Sequence, residues 1–410
     1  MTATLTTNFV SHLEGAIDGE HLPAEVIHTL HNDRPIWVRY DLEAVRSTVT
    51  KQDLLTRPGT LWRYAELLPA YDPEKIVSLG EGMTPILPCA RLGSKMGLSN
   101  LYVKDESQLP TGSFKSRGMA LAITMANHFG IETVALPTAG NAGGAAAAYA
   151  ARAGMQCYVF MPQDTPIINQ YEAAAAGAHA FLVNGLINDC GKIVNDGKET
   201  MGWFDLSTLK EPYRIEGKKT MGLELAEQFN WKLPDVIFYP TGGGTGLIGM
   251  WKAFNELREM GWLESSVMPR MIAVQSDGCS PIVNAYRSGT KHATPIQNAQ
   301  TIAGGIRVPG AVGDFMILDA IRESGGTAVA VEEQSIIPWM LRATATEGIS
   351  ICPETGACFA AVEQCVDDGT ISPDDKIVVF NTGASQKYSE AIARELPLLD
   401  INLPIDWSTI

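Results

Sequence analysis

Two periodicities alternate along the chain. Short apolar runs, bounded by glycine, proline or polar clusters, are separated by longer stretches whose apolar positions recur every three or four residues. The short runs predict strands at Leu101–Lys104, Thr133–Pro137, Gln156–Met161, His179–Val183, Val236–Tyr239, Arg270–Gln275, Thr327–Val331 and Lys376–Phe380. The longer stretches predict helices at Phe114–Phe129, Gly144–Gly154, Ile167–Gly177, 188–201, Lys219–Phe229, Gly246–Arg258, Val312–Glu323, Gln334–Glu347 and Thr355–Asp367. Alternation of this kind implies an α/β fold, with mainly parallel sheets covered by helices on both faces. In such sheets the working loops lie beyond the carboxyl ends of the strands.

Composition narrows the function classes. A chain of 410 residues is long enough for two domains or more. The net charge of −15 disfavours nucleic acid or an anionic membrane as partner, and an anionic substrate then needs a local positive pocket. There is no apolar run long enough for a transmembrane helix. Met1 to Gly15 has no basic stretch leading into an apolar core, so no secretory signal is expected. The seven cysteines are scattered without a CxxC pair, which argues against disulfides and zinc and fits a reducing cytoplasm. His12, His21, His28 and His31 gather in the first 75 residues and are expected to face solvent, with no metal site.

Four candidate motifs fall at strand-to-helix turns. Pro110-Thr-Gly-Ser-Phe-Lys-Ser-Arg-Gly118 puts Lys115 in the first turn of a helix, with Ser113 as its expected N-cap. A cation at that end opposes the helix dipole, which lowers the amine's pKa and favours the neutral, nucleophilic form. Thr138-Ala-Gly-Asn-Ala-Gly-Gly144 offers backbone amides to a carboxylate, and Asn141 a donor to a phenolic oxygen. Pro240-Thr-Gly-Gly-Gly-Thr-Gly246 can approach an anion closely. Its overlap with G-x-G-x-x-G at Gly244–Gly249 also allows a dinucleotide reading, for which Asp277 comes late. Phe380-Asn-Thr-Gly-Ala-Ser-Gln-Lys-Tyr388 carries Thr382, whose hydroxyl can bond a ring nitrogen or simply cap its own turn. A fifth segment, Tyr213-Arg-Ile-Glu-Gly-Lys-Lys-Thr220, is either a solvated face or an anion site through Arg214 and Lys219.

These segments, with Gly80-Glu-Gly-Met-Thr-Pro85, resemble the motifs of the fold-type II pyridoxal-phosphate (PLP) enzymes, and among them most of all the threonine synthases. The resemblance implies two domains, each with a mainly parallel sheet flanked by helices. The large PLP-binding domain would take 76–119 and 217–410, the small substrate-binding domain 120–216, and an N-terminal extension 1–75. It implies that Lys115 holds PLP as an aldimine, with Phe114, Asn141, Gly242, Gly243, Gly244, Thr245, Gly246 and Thr382 around the cofactor. It further implies that Thr84, Ser113, Thr138, Ala139, Gly140, Asn141, Ala142, Arg214 and Lys219 meet a small phosphorylated amino acid. The implied reaction converts O-phospho-L-homoserine and water to L-threonine and phosphate, in a cytoplasmic homodimer without nucleic-acid or membrane partners. Elimination or replacement at the β-carbon of serine, phosphoserine or threonine is the alternative; an NAD-dependent dehydrogenase or a catalytically silent relative comes after it. Glu211 stands where relatives can carry Asn, and a carboxylate there repels a phosphate unless it points away.

Overall fold

The computed structural model describes residues 8–69, 72–405 and 407–409; the first seven residues of the N-terminal extension, with Ala70 and Tyr71, lie outside the described residues. In chain order the strands are β1 (Val10–Gly15), β2 (His21–Leu22), β3 (Ile36–Tyr40), β4 (Ile86–Pro88), β5 (Asn100–Asp105), β6 (Thr133–Pro137), β7 (Gln156–Pro162), β8 (His179–Val183), β9 (Phe204–Asp205), β10 (Val236–Pro240), β11 (Arg270–Ser276), β12 (Thr327–Val331) and β13 (Lys376–Asn381). They form three sheets, ordered β2-β1-β3, β12-β11-β10-β13-β5-β4 and β8-β7-β6-β9. The first is antiparallel. The other two are parallel, except that β4 runs antiparallel to β5 at an edge.

Period-two alternation explains how the six-stranded sheet is buried on both faces. Val236 and Phe238 pack to one side with Phe359, while Ile237 and Tyr239 pack to the other with Phe254. The strands β2, β4 and β9 escape the apolar-run criterion because each is only two or three residues long, and β1 escapes it because polar residues interrupt its run. Of the N-terminal histidines, His21 is exposed as expected, whereas His12, His28 and His31 are half-buried. His12 stacks on His21 at 3.7 Å, and His31 Nε2 lies 2.9 Å from Asp18. Among the described residues, no helix is long and apolar enough to cross a membrane, and all seven cysteines are free and buried.

Three helices in main-chain contact organise the centre. Tyr213–Gln228 lies between Lys115–His128 and Thr245–Glu259. Glycine permits the approach: a Cβ on Gly217 would sit 2.1 Å from the Arg117 carbonyl oxygen, and one on Gly249 would sit 2.9 Å from the Lys219 nitrogen. The middle helix starts six residues before the predicted Lys219. The Glu211 carboxylate accepts hydrogen bonds from the Tyr213 and Arg214 amides, at 2.7 and 3.1 Å, and so caps the earlier start.

Beneath Lys115 lies a fully buried polar network. Arg117 bonds Glu106 and Glu224, each at 2.5 Å, and Lys104 bonds Glu224 at 3.0 Å. Burial opposes the charged carboxylate of Glu224, but Arg117 and Lys104 outweigh it and hold its pKa well below the usual range.

Candidate active site

A cleft of about 550 Å³ lies where the carboxyl ends of the six-stranded and four-stranded sheets meet. Its walls include Phe114 and Lys115, the run Thr138–Ala142, the run Gly242–Gly246, and Thr382. The four strand-to-helix turns singled out in the sequence therefore open onto one cavity.

Lys115 is the first residue of its helix and is half-buried on the cleft wall. Its amine is held down at about 7, by burial first and by the Arg214 charge next, with Glu354 pulling in the other direction. The amine lies 4.1 Å from the Phe114 ring centroid. Lys218, which the sequence reading did not single out, fixes this turn by donating to the Phe114 carbonyl at 2.6 Å and the Lys115 carbonyl at 3.2 Å. The expected cap is not made. Phe114 is the N-cap, and Ser113 bridges to Gly383 in the adjoining turn with its hydroxyl unbonded and buried.

The glycine run 242–244 leads into the helix Thr245–Glu259, whose free amides and dipole favour an anion. Gly244 has φ +72, a left-handed conformation that suits glycine. A Cβ on Gly242 would lie 2.8 Å from the Gly305 carbonyl oxygen. Asn141 opens the helix Asn141–Ala153, three residues earlier than predicted. Its Nδ2 donates to the Tyr388 hydroxyl at 3.1 Å, while its Oδ1 is buried and unbonded. Thr382 is buried; its carbonyl accepts from the Phe114 amide at 3.0 Å, which ties the last turn to the lysine turn.

These residues fit PLP. An amine of lowered pKa, a glycine cradle at a helix start and the Asn141 amide, with a second Nδ2 hydrogen to donate, line one cavity.

Four expected substrate residues do not line the cleft. Thr84 belongs to the buried network, donating to Glu106 at 2.6 Å and accepting from Arg117 at 3.2 Å. Ser113 is held in its bridge. Arg214 is buried behind the wall, donating to the Leu206 carbonyl at 2.6 Å, and reaches the cleft through its charge alone. Lys219 is locked between Glu216 and Glu256, at 2.7 and 2.9 Å. The cations that do line the cleft are Lys192, Lys210 and Arg307, besides Lys115. Glu211 points away: burial raises its carboxyl to about 7, against the pull of Arg214 and of the amides it caps. Asp277, the residue a dinucleotide site needs, instead accepts from the Glu333 amide at 3.1 Å, at the start of the helix Glu333–Glu347. Glu354 and Tyr388 also line the cleft, and nothing in the local sequence pattern marked Glu354.

Residues 77–383 match the family described as Pyridoxal-phosphate dependent enzyme. The threonine synthase of Methanocaldococcus jannaschii is 35% identical over 371 residues, covering 90% of this chain and 91% of that protein. That of Methanosarcina acetivorans is 35% identical over 389 residues, covering 94% of each. Among solved structures, threonine deaminase isoform 2 from Solanum lycopersicum superposes with a TM-score of 0.65 at 21% identity, covering 82% of this chain and 94% of that one. Maize serine racemase gives 0.63 at 20%, with 74% and 88% covered, and these two likenesses concern the fold alone.

Proposed function

We propose, from the premise that the chain belongs to the family of pyridoxal-phosphate dependent enzymes, that it is a threonine synthase acting on O-phospho-L-homoserine and water. The observation that carries this reading is the Lys115 amine, lowered to about 7, facing the 242–246 cradle across a cleft of about 550 Å³. Family membership also removes the dehydrogenase alternative.

In this reading the glycine amides of 242–244, with Thr245 and Gly246, hold the cofactor's phosphate. Asn141 donates to its ring oxygen, Thr382 meets its ring nitrogen, and Phe114 supports the lysine turn. Bound there, PLP supplies an electron sink for the charge left on a carbon that has lost its proton. Lys115 does the proton work, because an amine near 7 both accepts and returns a proton at neutral pH. The amides of Thr138–Ala142 receive the substrate carboxylate. Lys192, Lys210 and Arg307 supply the positive charge for the substrate's phosphate, the role that the resemblance implied for Arg214 and Lys219.

The division into a small domain (120–216) inserted in a larger one (76–119 and 217–410), with 1–75 as an extension, belongs to the same proposal. So do a homodimer and a cytoplasmic location, the latter supported by seven free cysteines.

The test loads purified protein with PLP and supplies O-phospho-L-homoserine. Release of phosphate with equimolar threonine, abolished in Lys115→Ala, is the expected result. A loaded protein without turnover rejects the reaction, and a keto-acid product assigns the alternative elimination chemistry.

A further inference from the structure

The mechanism so far leaves one buried carboxylate on the cleft wall unused. Glu354 lies in the first turn of the helix Pro353–Asp367 and is 3% exposed. Its Oε1 accepts from the Gly305 amide at 2.7 Å and from the Tyr388 hydroxyl at 2.9 Å, while its Oε2 is buried and unbonded. Tyr388 is also buried, and its oxygen accepts from Asn141 Nδ2 at 3.1 Å. Three turns that are far apart in sequence therefore supply one continuous chain of hydrogen bonds. It runs from the carboxylate through the phenol to the amide, and all three side chains line the cavity that contains Lys115.

The chemistry of the carboxylate gives this chain a direction. An ionised carboxylate has no proton to give, so the Tyr388 hydroxyl must donate to it. With its only hydrogen committed, the phenol can meet Asn141 only as an acceptor. The amide must then turn its nitrogen, and not its oxygen, toward Tyr388. One Nδ2 hydrogen serves this bond, and the second remains as a donor. Without the negative end, the phenol could rotate and donate to Oδ1, and the amide would have no reason to prefer one face.

We propose that Glu354 is a positioning residue that acts through Tyr388 to hold Asn141 with its free N–H available to the cofactor's ring oxygen. The inference rests on the reading above, in which Asn141 faces that oxygen. It gives roles to two residues that the family motifs in the sequence left unassigned. The arrangement also accounts for the buried, unshared charge: among the described residues Glu354 has no cationic partner within ion-pair distance, although the Lys115 amine responds to its field.

The test compares wild type, Glu354→Gln, Tyr388→Phe and the double variant, each loaded with PLP. Three quantities are read: the visible absorption band of the bound cofactor, its dissociation constant, and kcat against KM for the proposed substrate. Glutamine keeps the size and an acceptor for the Gly305 amide but can donate, so it removes the direction of the chain while leaving the packing. The expected result is a displaced or redistributed visible band in both single variants, with cofactor affinity lowered about tenfold. We also expect kcat to fall more than KM changes. The double variant should match the worse single variant, because both lesions break the same chain. If both variants keep the wild-type band and an affinity within twofold, or if their effects are independent and simply multiply, the relay is refuted. Tyr388→Phe leaves the carboxylate in place, so it carries the test should Glu354→Gln fail to fold. A wild type that takes up PLP but makes no threonine overturns the proposed reaction and leaves the spectral comparison to decide the relay. A wild type that binds no PLP overturns both.

Discussion

Replacing Lys115 with methionine should make the cofactor-free protein more stable at neutral pH, although it destroys the reactive amine. The folded chain holds this amine at about 7 against its usual 10.5, and at about 1.4 kcal/mol per pH unit the gap comes to about 5 kcal/mol. The sign follows from proton counting. Between about 7 and 10.5 the unfolded chain binds the proton and the folded chain does not, so stability rises with pH across that window. Below about 7 both states are protonated and the full penalty for burying the ammonium is present. The cleft admits water to part of the side chain, so the full figure is a ceiling, and about half of it, ~2–3 kcal/mol, is the expected gain. Methionine has a similar length and carries no charge. Relief of Lys218, whose pKa is lowered by burial first and by Lys115 next, acts in the same direction. The assay is urea denaturation of PLP-free wild type and Lys115→Met at pH 7 and pH 9.5, with slopes compared to check that the same surface unfolds. The variant should have the higher midpoint at pH 7, and its advantage should shrink at pH 9.5. A variant that is less stable at pH 7, or an advantage that does not change with pH, refutes the claim that the fold strains to keep this amine neutral.

Two further outcomes test the surroundings of the site. Arg117→Met leaves Glu106 and Glu224 buried without their guanidinium, and should cost about 3–5 kcal/mol by urea denaturation, well above the loss for an exposed ion pair such as Lys51–Glu264. Gly242→Ala sets a methyl 2.8 Å from the Gly305 carbonyl oxygen, so the cradle must shift; PLP affinity measured by titration should fall at least about tenfold while the far-ultraviolet dichroism is unchanged.

The parts of the site that could be read in the sequence are those encoded locally. Gly242–Gly246 and Thr138–Gly144 stand between an apolar run and a helical stretch, and the turn geometry follows from those few residues. Lys115 was legible for the same reason, as a cation at the wrong end of a helix. Glu354 was not, because it reads as an ordinary first-turn acid after a proline; its role depends on Tyr388 and Asn141, which only the fold brings to it. Lys219 failed in the opposite sense. A cationic run before a predicted helix looks exposed or anion-binding, yet the helix begins earlier and buries the lysine between Glu216 and Glu256, the second of them 37 positions away. Strand length made the same division in the fold: the eight predicted strands lie within a residue of their expected bounds, whereas β2, β4 and β9, of two or three residues, are too short to show a pattern of their own.

Main-chain contact among the three central helices has a consequence for how the site can change over time. The reactive amine and the phosphate cradle are each seated against the helix Tyr213–Gln228 through close glycine contacts, at Gly217 and Gly249, and the Lys218 side chain adds bonds only to main-chain carbonyls of the lysine turn. The distance between those two points is thus a property of the backbone itself. New substrates can be accommodated by altering the rim of the cavity, while the spacing that any reaction here must use is inherited unchanged.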